Sequence, residues 1–193
     1  MASNPTRAPL PERPRLSGQS GQLSRVQPAS DRSRPPSSSE WRAGREDVLV
    51  RLMFTPGSSP LENTHTFLNA YLADRVPPAT AQRVCLAAYE LLSNATSFAT
   101  LGSDVVLELV QRAGRICVRA SNNTIPARLA MLRQHLEKIQ NDPEETFVSE
   151  LKKSMGGAMG RPMLGLARIV HEVGLFLELD TQGDRVTVTA LPR

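Results

Sequence analysis

The feature that most constrains this chain is a run of twenty-one residues, Ala79 to Ala99, with neither glycine nor proline. Its apolar residues Val84, Ala88, Leu91, Ala95 and Phe98 recur at intervals of three and four, the period of a helix that buries one face. Any fold must therefore find a core for a long helix. Glu90 and Asn94 on this helix are four apart and project one above the other, about 100° round from the Leu91/Ala95 stripe at 3.6 residues per turn. That places them at the edge of the core, not in it. A carboxylate beside a carboxamide there reads either as a polar helix shoulder or as an oxygen pair able to hold a hydrated Mg²⁺, an ion that keeps several waters.

The 193 residues suffice for one domain and a tail. The first forty hold seven Pro and nine Ser and few apolar residues beyond Leu10, Leu16, Leu23 and Val26. Such a segment buries too little surface to offset the entropy of ordering. Residues 1–43 are expected to be disordered, and 44–193 to form the domain. The first forty residues carry six Arg against three acids, so most of the net charge of +4 belongs to them. Its arginines are spread out without interleaved aromatics, a pattern of a solvated tail and not of a nucleic-acid arm. The start lacks the apolar stretch of a secretory signal, and no run approaches the eighteen or so apolar residues of a membrane span. The expectation is a cytoplasmic protein without nucleic-acid or membrane partners.

Cys85 and Cys117 fall in a predicted helix and a predicted strand, in no CxxC spacing, and read as core fillers of a reducing compartment. His65, His135 and His171 are scattered singly, which gives a zinc site no support.

The remaining pattern is legible in order. Val48–Phe54 reads as a strand ending at Thr55-Pro56-Gly57. Pro60 to Val76 is a helix stopped by Pro77-Pro78, and Gly102 stands where the long helix after it wants a left-handed cap. Asp104–Val110 and Arg115–Ala120 form an antiparallel hairpin. Ser121-Asn122-Asn123-Thr124 breaks the strand pattern and reads as a turn. Pro126–Asn141 and Glu144–Lys153 are helical, Met155–Pro162 is a loop with three glycines, and Met163–Val173 is a further helix. Strands near Leu175–Asp180 and Arg185–Ala190 close the chain around Gln182-Gly183-Asp184. Helices gathered on one face of a mixed, largely antiparallel sheet make a two-layer α/β sandwich, an α+β arrangement.

This order, together with Glu90-Leu91-Leu92-Ser93-Asn94-Ala95, resembles the histidine-kinase-like ATPase superfamily, and within it the small anti-sigma-factor serine kinases, whose N-box helix carries E-L-x-x-N-A. The resemblance covers about residues 46–191. It implies ATP and Mg²⁺ as cofactors, with Asn94 the Mg²⁺ ligand and Glu90 the catalytic residue that polarises an attacking hydroxyl. It also implies a bacterial signalling regulator acting on a Ser or Thr of a small anti-sigma-antagonist (STAS-type) partner, with a homodimer as a further expectation. The family's D-x-G-x-G is absent from Arg119–Ile125. Asn122 or Asn123 could offer a carboxamide to adenine in its place, or serve only as turn residues. The second glycine box is reduced to Met163-Leu164-Gly165-Leu166, expected to open a helix onto phosphate, with Lys152, Lys153 and Arg161 as neutralising cations. The altered boxes leave a second class of function open: a catalytically degenerate module that regulates its partner by contact alone.

Overall fold

The computed structural model describes residues 46–55, 61–155 and 161–192, the side chains of Arg161 and Pro162 excepted. The tail and the three glycines of the loop lie outside the described residues. In chain order the elements are β1 (Glu46–Phe54), α1 (Leu61–Leu72), α2 (Pro78–Phe98), β2 (Val105–Arg112), β3 (Arg115–Asn123), α3 (Pro126–Asn141), α4 (Pro143–Met155), α5 (Arg161–His171), β4 (Leu175–Gln182) and β5 (Arg185–Pro192). The strands form one sheet in the order β1-β2-β3-β5-β4, and every neighbouring pair is antiparallel. This is the two-layer sandwich expected, with the sheet antiparallel throughout.

Alternation along the strands sets the layers. Val105, Leu107 and Leu109 of β2, Val118 and Ala120 of β3, and Val186, Val188 and Ala190 of β5 share one cluster with Leu68, Leu91, Leu92, Ile139 and Ile169 of the helices. Side chains one residue out of step face the other side, because successive strand residues point to opposite faces. The long helix α2 is the centre of the helical layer and starts on Pro78 at its first turn, where a missing N–H costs nothing.

Two local expectations change. The helix ends at Phe98, with Ala99 extended at φ −59 and ψ 144, so Gly102 is not its cap. Instead Gly102, at φ 78, is the third residue of a turn closed by the Ser103 N–H donating to the Thr100 carbonyl at 3.1 Å, a position that needs positive φ. The helix end is satisfied from elsewhere: Thr124 Oγ1 donates to the Phe98 carbonyl at 2.9 Å, and Arg128 reaches the Phe98 and Ala99 carbonyls at 3.3 Å, a cation at the negative pole of the helix.

The second change is that β3 runs on through Asn122 and Asn123. These residues do not form a turn; they pair with Val186 and Arg185 of β5. Ladder bonds to a partner strand override the local turn preference of Asn.

The β2–β3 hairpin turns on Ala113 and Gly114, with φ of 50 and 75, the two positive angles of the tight turn that suits strand twist. Ala113 carries a Cβ in a conformation that disfavours one by about 1–2 kcal/mol. Ala113→Asn is therefore expected to raise unfolding free energy by about 0.5–1 kcal/mol, read as a higher urea midpoint at unchanged m-value; no gain would refute the turn assignment.

Candidate functional site

Glu90 and Asn94 are deeper than their helical angle suggests. Glu90 is 7% exposed and Asn94 4%, and at Glu90 it is α5 that closes this shoulder of α2. A buried carboxylate needs partners, and α5 supplies them. Arg168 Nη1 donates to Glu90 Oε1 at 2.7 Å, while its Nε donates to Glu172 Oε2 at 3.2 Å. One turn earlier, Gly165 lies directly against the carboxylate: a Cβ placed there would meet Glu90 Oε2 inside contact distance and Cδ at 3.2 Å. Gly165 and Arg168 are three apart, hence on one face of α5, and together they form a receptacle for Glu90.

Burial pushes the Glu90 carboxyl above its usual range; the Arg168 guanidinium pulls it back and the Glu172 charge adds to the rise. Since its folded value lies above the unfolded one, its contribution to stability is complete at acid pH and is lost as pH rises through the folded value.

The other predicted residues are distributed as follows. Gly165 and Leu166 are buried and sit one turn inside α5, which opens at Arg161, so the unpaired N–H groups of the helix start lie before them. Arg161 begins α5, and its side chain lies outside the described residues. Asn122 is buried and its Nδ2 donates to the Asn123 carbonyl at 3.2 Å. That carbonyl also accepts the Thr100 N–H at 2.9 Å. This bond and the Thr124 bond to Phe98 tie the end of β3 to the end of α2, one turn beyond Asn94. The structure thus joins Glu90 to Gly165 at contact distance and sets Asn94 near the same end of α2 as the Asn122-Asn123 pair. Lys153 is engaged by Glu150 Oε1 at 2.7 Å.

Arg168, Glu172 and His135 carry much of this site and were not singled out in the sequence. Arg168 was findable: a cation three residues after a motif glycine shares its helix face. His135 was not, since its partner is a backbone atom. Its Nε2 lies 2.9 Å from the Met163 carbonyl in the first turn of α5, and burial, outweighing that bond, lowers its pKa. No group of three or more His, Cys, Asp or Glu gathers as a metal site among the described residues, and no helix among them is long and apolar enough to cross a membrane.

Fold and site together define a two-layer α/β sandwich whose central helix carries a buried Glu–Asn pair, its Glu held by the last helix. A solved structure with a similar fold is a chain of the "SiaB-SiaC complex from Pseudomonas aeruginosa", 23% identical, with a TM-score of 0.52 over 74% of this chain and 88% of that chain. At that identity the likeness establishes the fold. No protein-family model matches the sequence, and no curated protein matches it.

Two substitutions test the receptacle. Gly165→Ala is expected to cost about 1–3 kcal/mol by overpacking, measured by urea unfolding, and the loss should shrink in a Glu90→Ala background; equal losses in both would refute the contact. For Glu90→Gln, the stability of the variant relative to wild type should improve as pH rises from about 4 to about 7, and a constant difference would show that Glu90 titrates normally.

Proposed function

We propose that this chain is a signalling regulator that acts by binding a protein partner, on a histidine-kinase-like ATPase scaffold whose catalytic carboxylate is turned to structural use. The observation that carries the reading is the Glu90 receptacle. One carboxylate oxygen is bonded to Arg168 and the other lies against Gly165, so the group that the resemblance makes the hydroxyl-polarising residue is committed inside the protein. The nucleotide side is similarly reduced. Gly165, the glycine retained from the second box, is used by Glu90, and Met163, in place of the first, is held through its carbonyl by His135. Asn122 and Asn123 belong to the sheet ladder. That the solved structure of similar fold is of a complex between two proteins supports a protein partner for this chain.

The second reading, an ATP-dependent kinase acting on a Ser or Thr of a STAS-type partner, is favoured by one observation: both fixed polar positions of the N-box helix are present and buried side by side on α2. In that case Asn94 would hold Mg²⁺, which neutralises phosphate charge, and Glu90 would have to part from Arg168 to meet the hydroxyl.

Calorimetric titration of the full chain with ATP and Mg²⁺ separates the two. The expected result is no binding heat at concentrations near a millimolar. Magnesium-dependent binding in the micromolar range, about −8 kcal/mol, abolished by Asn94→Ala, would overturn the binding-only reading and establish the kinase as the one to pursue.

A further inference from the structure

The sheet has two edges, and they differ. At one, β1 breaks register between Val48 and Val50, and the Tyr71 hydroxyl of α1 donates to the Leu49 carbonyl at 3.4 Å. Register breaks and covering elements close an edge against further pairing. At the other, β4 pairs with β5 without a shift, from Leu175 opposite Pro192 to Gln182 opposite Arg185, and among the described residues it has no neighbouring strand on its outer side. Its eight residues contain no proline, glycine or lysine. Every second residue of such a strand turns its N–H and C=O away from the sheet, where another strand can take them up.

The side chains along this edge select what can pair there. Successive residues face opposite sides: Leu177 and Leu179 belong to the core face, so Phe176, Glu178 and Asp180 fall on the face away from the helices. Phe176 is about half-exposed and Asp180 is exposed. Neither Glu178 nor Asp180 has an ion pair among the described residues. A small cavity lined by Leu136, Ile139 and Gln140 of α3, Val170 of α5 and both Phe176 and Leu177 of β4 lies at the same edge, since residues of opposite faces share a cavity only beside the strand. Like charges directly opposite destabilise a strand pair. An antiparallel second copy of β4 centred on Leu179 would set Glu178 against Asp180, whereas a strand with cations at every other position would satisfy both.

We propose that the β4 edge is where the partner protein docks, through an extended segment that alternates lysine or arginine with apolar residues and adds to the sheet as a further strand. In strand addition of this kind main-chain hydrogen bonds supply affinity and side-chain pockets supply specificity. Directly opposed residues share a face. The cations of the segment therefore stand beside Glu178 and Asp180, and its apolar residues beside Leu177, Leu179 and the cavity. The chain as a whole carries a net charge of +4, so a basic segment is drawn to these acids and not to the protein at large. The inference rests on the partner-binding reading above and deepens it by naming where, and in what form, the partner binds.

The probe is a fluorescein-labelled peptide of alternating lysine and valine, titrated with the full chain and read by anisotropy. It is expected to bind. The same peptide N-methylated along its whole backbone, which keeps the charge but has no N–H to give, is expected not to bind, and neither is a glutamate–valine peptide. Glu178→Lys combined with Asp180→Lys is expected to weaken binding of the lysine peptide by about tenfold or more. The proposal is overturned if the lysine peptide does not bind, if the N-methylated or glutamate peptide binds as well, if the charge reversal leaves the affinity unchanged, or if the chain sediments as a dimer that the lysine peptide dissociates, which would assign the edge to a second copy. Those results leave the partner-binding reading standing, whereas magnesium-dependent ATP binding, measured without the peptide, overturns that reading.

Discussion

The structure depends on one buried carboxylate. Glu90 sits on the helix that fills the middle of the helical layer, where an isolated ionised group would be prohibitively costly. Part of that cost is offset by the face of α5, which places Arg168 on one oxygen and leaves room for the other with a bare Cα. Because breaking a buried ion pair is far more costly than never having one, α5 is bound to α2 by a requirement that apolar packing alone would not impose. The depth of Glu90 follows from the same contact.

The opposite face of the sheet solves a different problem. It bears a second buried carboxylate, Glu108, clasped between Arg51 at 2.5 Å and Arg119, whose carboxyl these two guanidinium groups hold below its usual range despite the burial. The two carboxylates have opposite outcomes. Glu108 has two cationic partners across neighbouring strands, while Glu90 has one, shared with Glu172. Cys117, beside that clasp, is pushed up to about 11, chiefly by burial, and so remains a thiol.

Most of the fold was legible because it rests on local signals. The 3.6-residue stripe of α2, the proline starts of α2, α3 and α4, and the strand runs on either side of Ala113-Gly114 place their elements within a few residues. What failed was decided by distant chain. Asn122 and Asn123 have a turn-former's composition, and only β5, sixty residues later, makes them strand. Gly102 carries the positive φ expected of it, but in a turn beyond the helix, whose end Thr124 and Arg128 had already satisfied. At the site, Glu90, Asn94 and Gly165 stood out by pattern, yet the burial of Glu90 and its contact with Gly165 depend on how α5 lies against α2, which no spacing within either helix encodes.

The His135 bond to the Met163 carbonyl also divides the helical layer mechanically. It fixes the first turn of α5 to α3, while Arg168 fixes the third turn to α2, and Arg83 Nε, donating to the Val173 carbonyl at 2.9 Å, secures the segment just after it. With three anchors spread along its length, α5 can neither slide nor pivot on α2 and α3 without breaking one. α1 is held differently: Leu68 and Leu72 of its apolar face are buried in the core, and its polar ties are the Cys85 thiol donating to Asn69 Oδ1 and the Tyr71 hydroxyl donating to the Leu49 carbonyl, each at 3.4 Å.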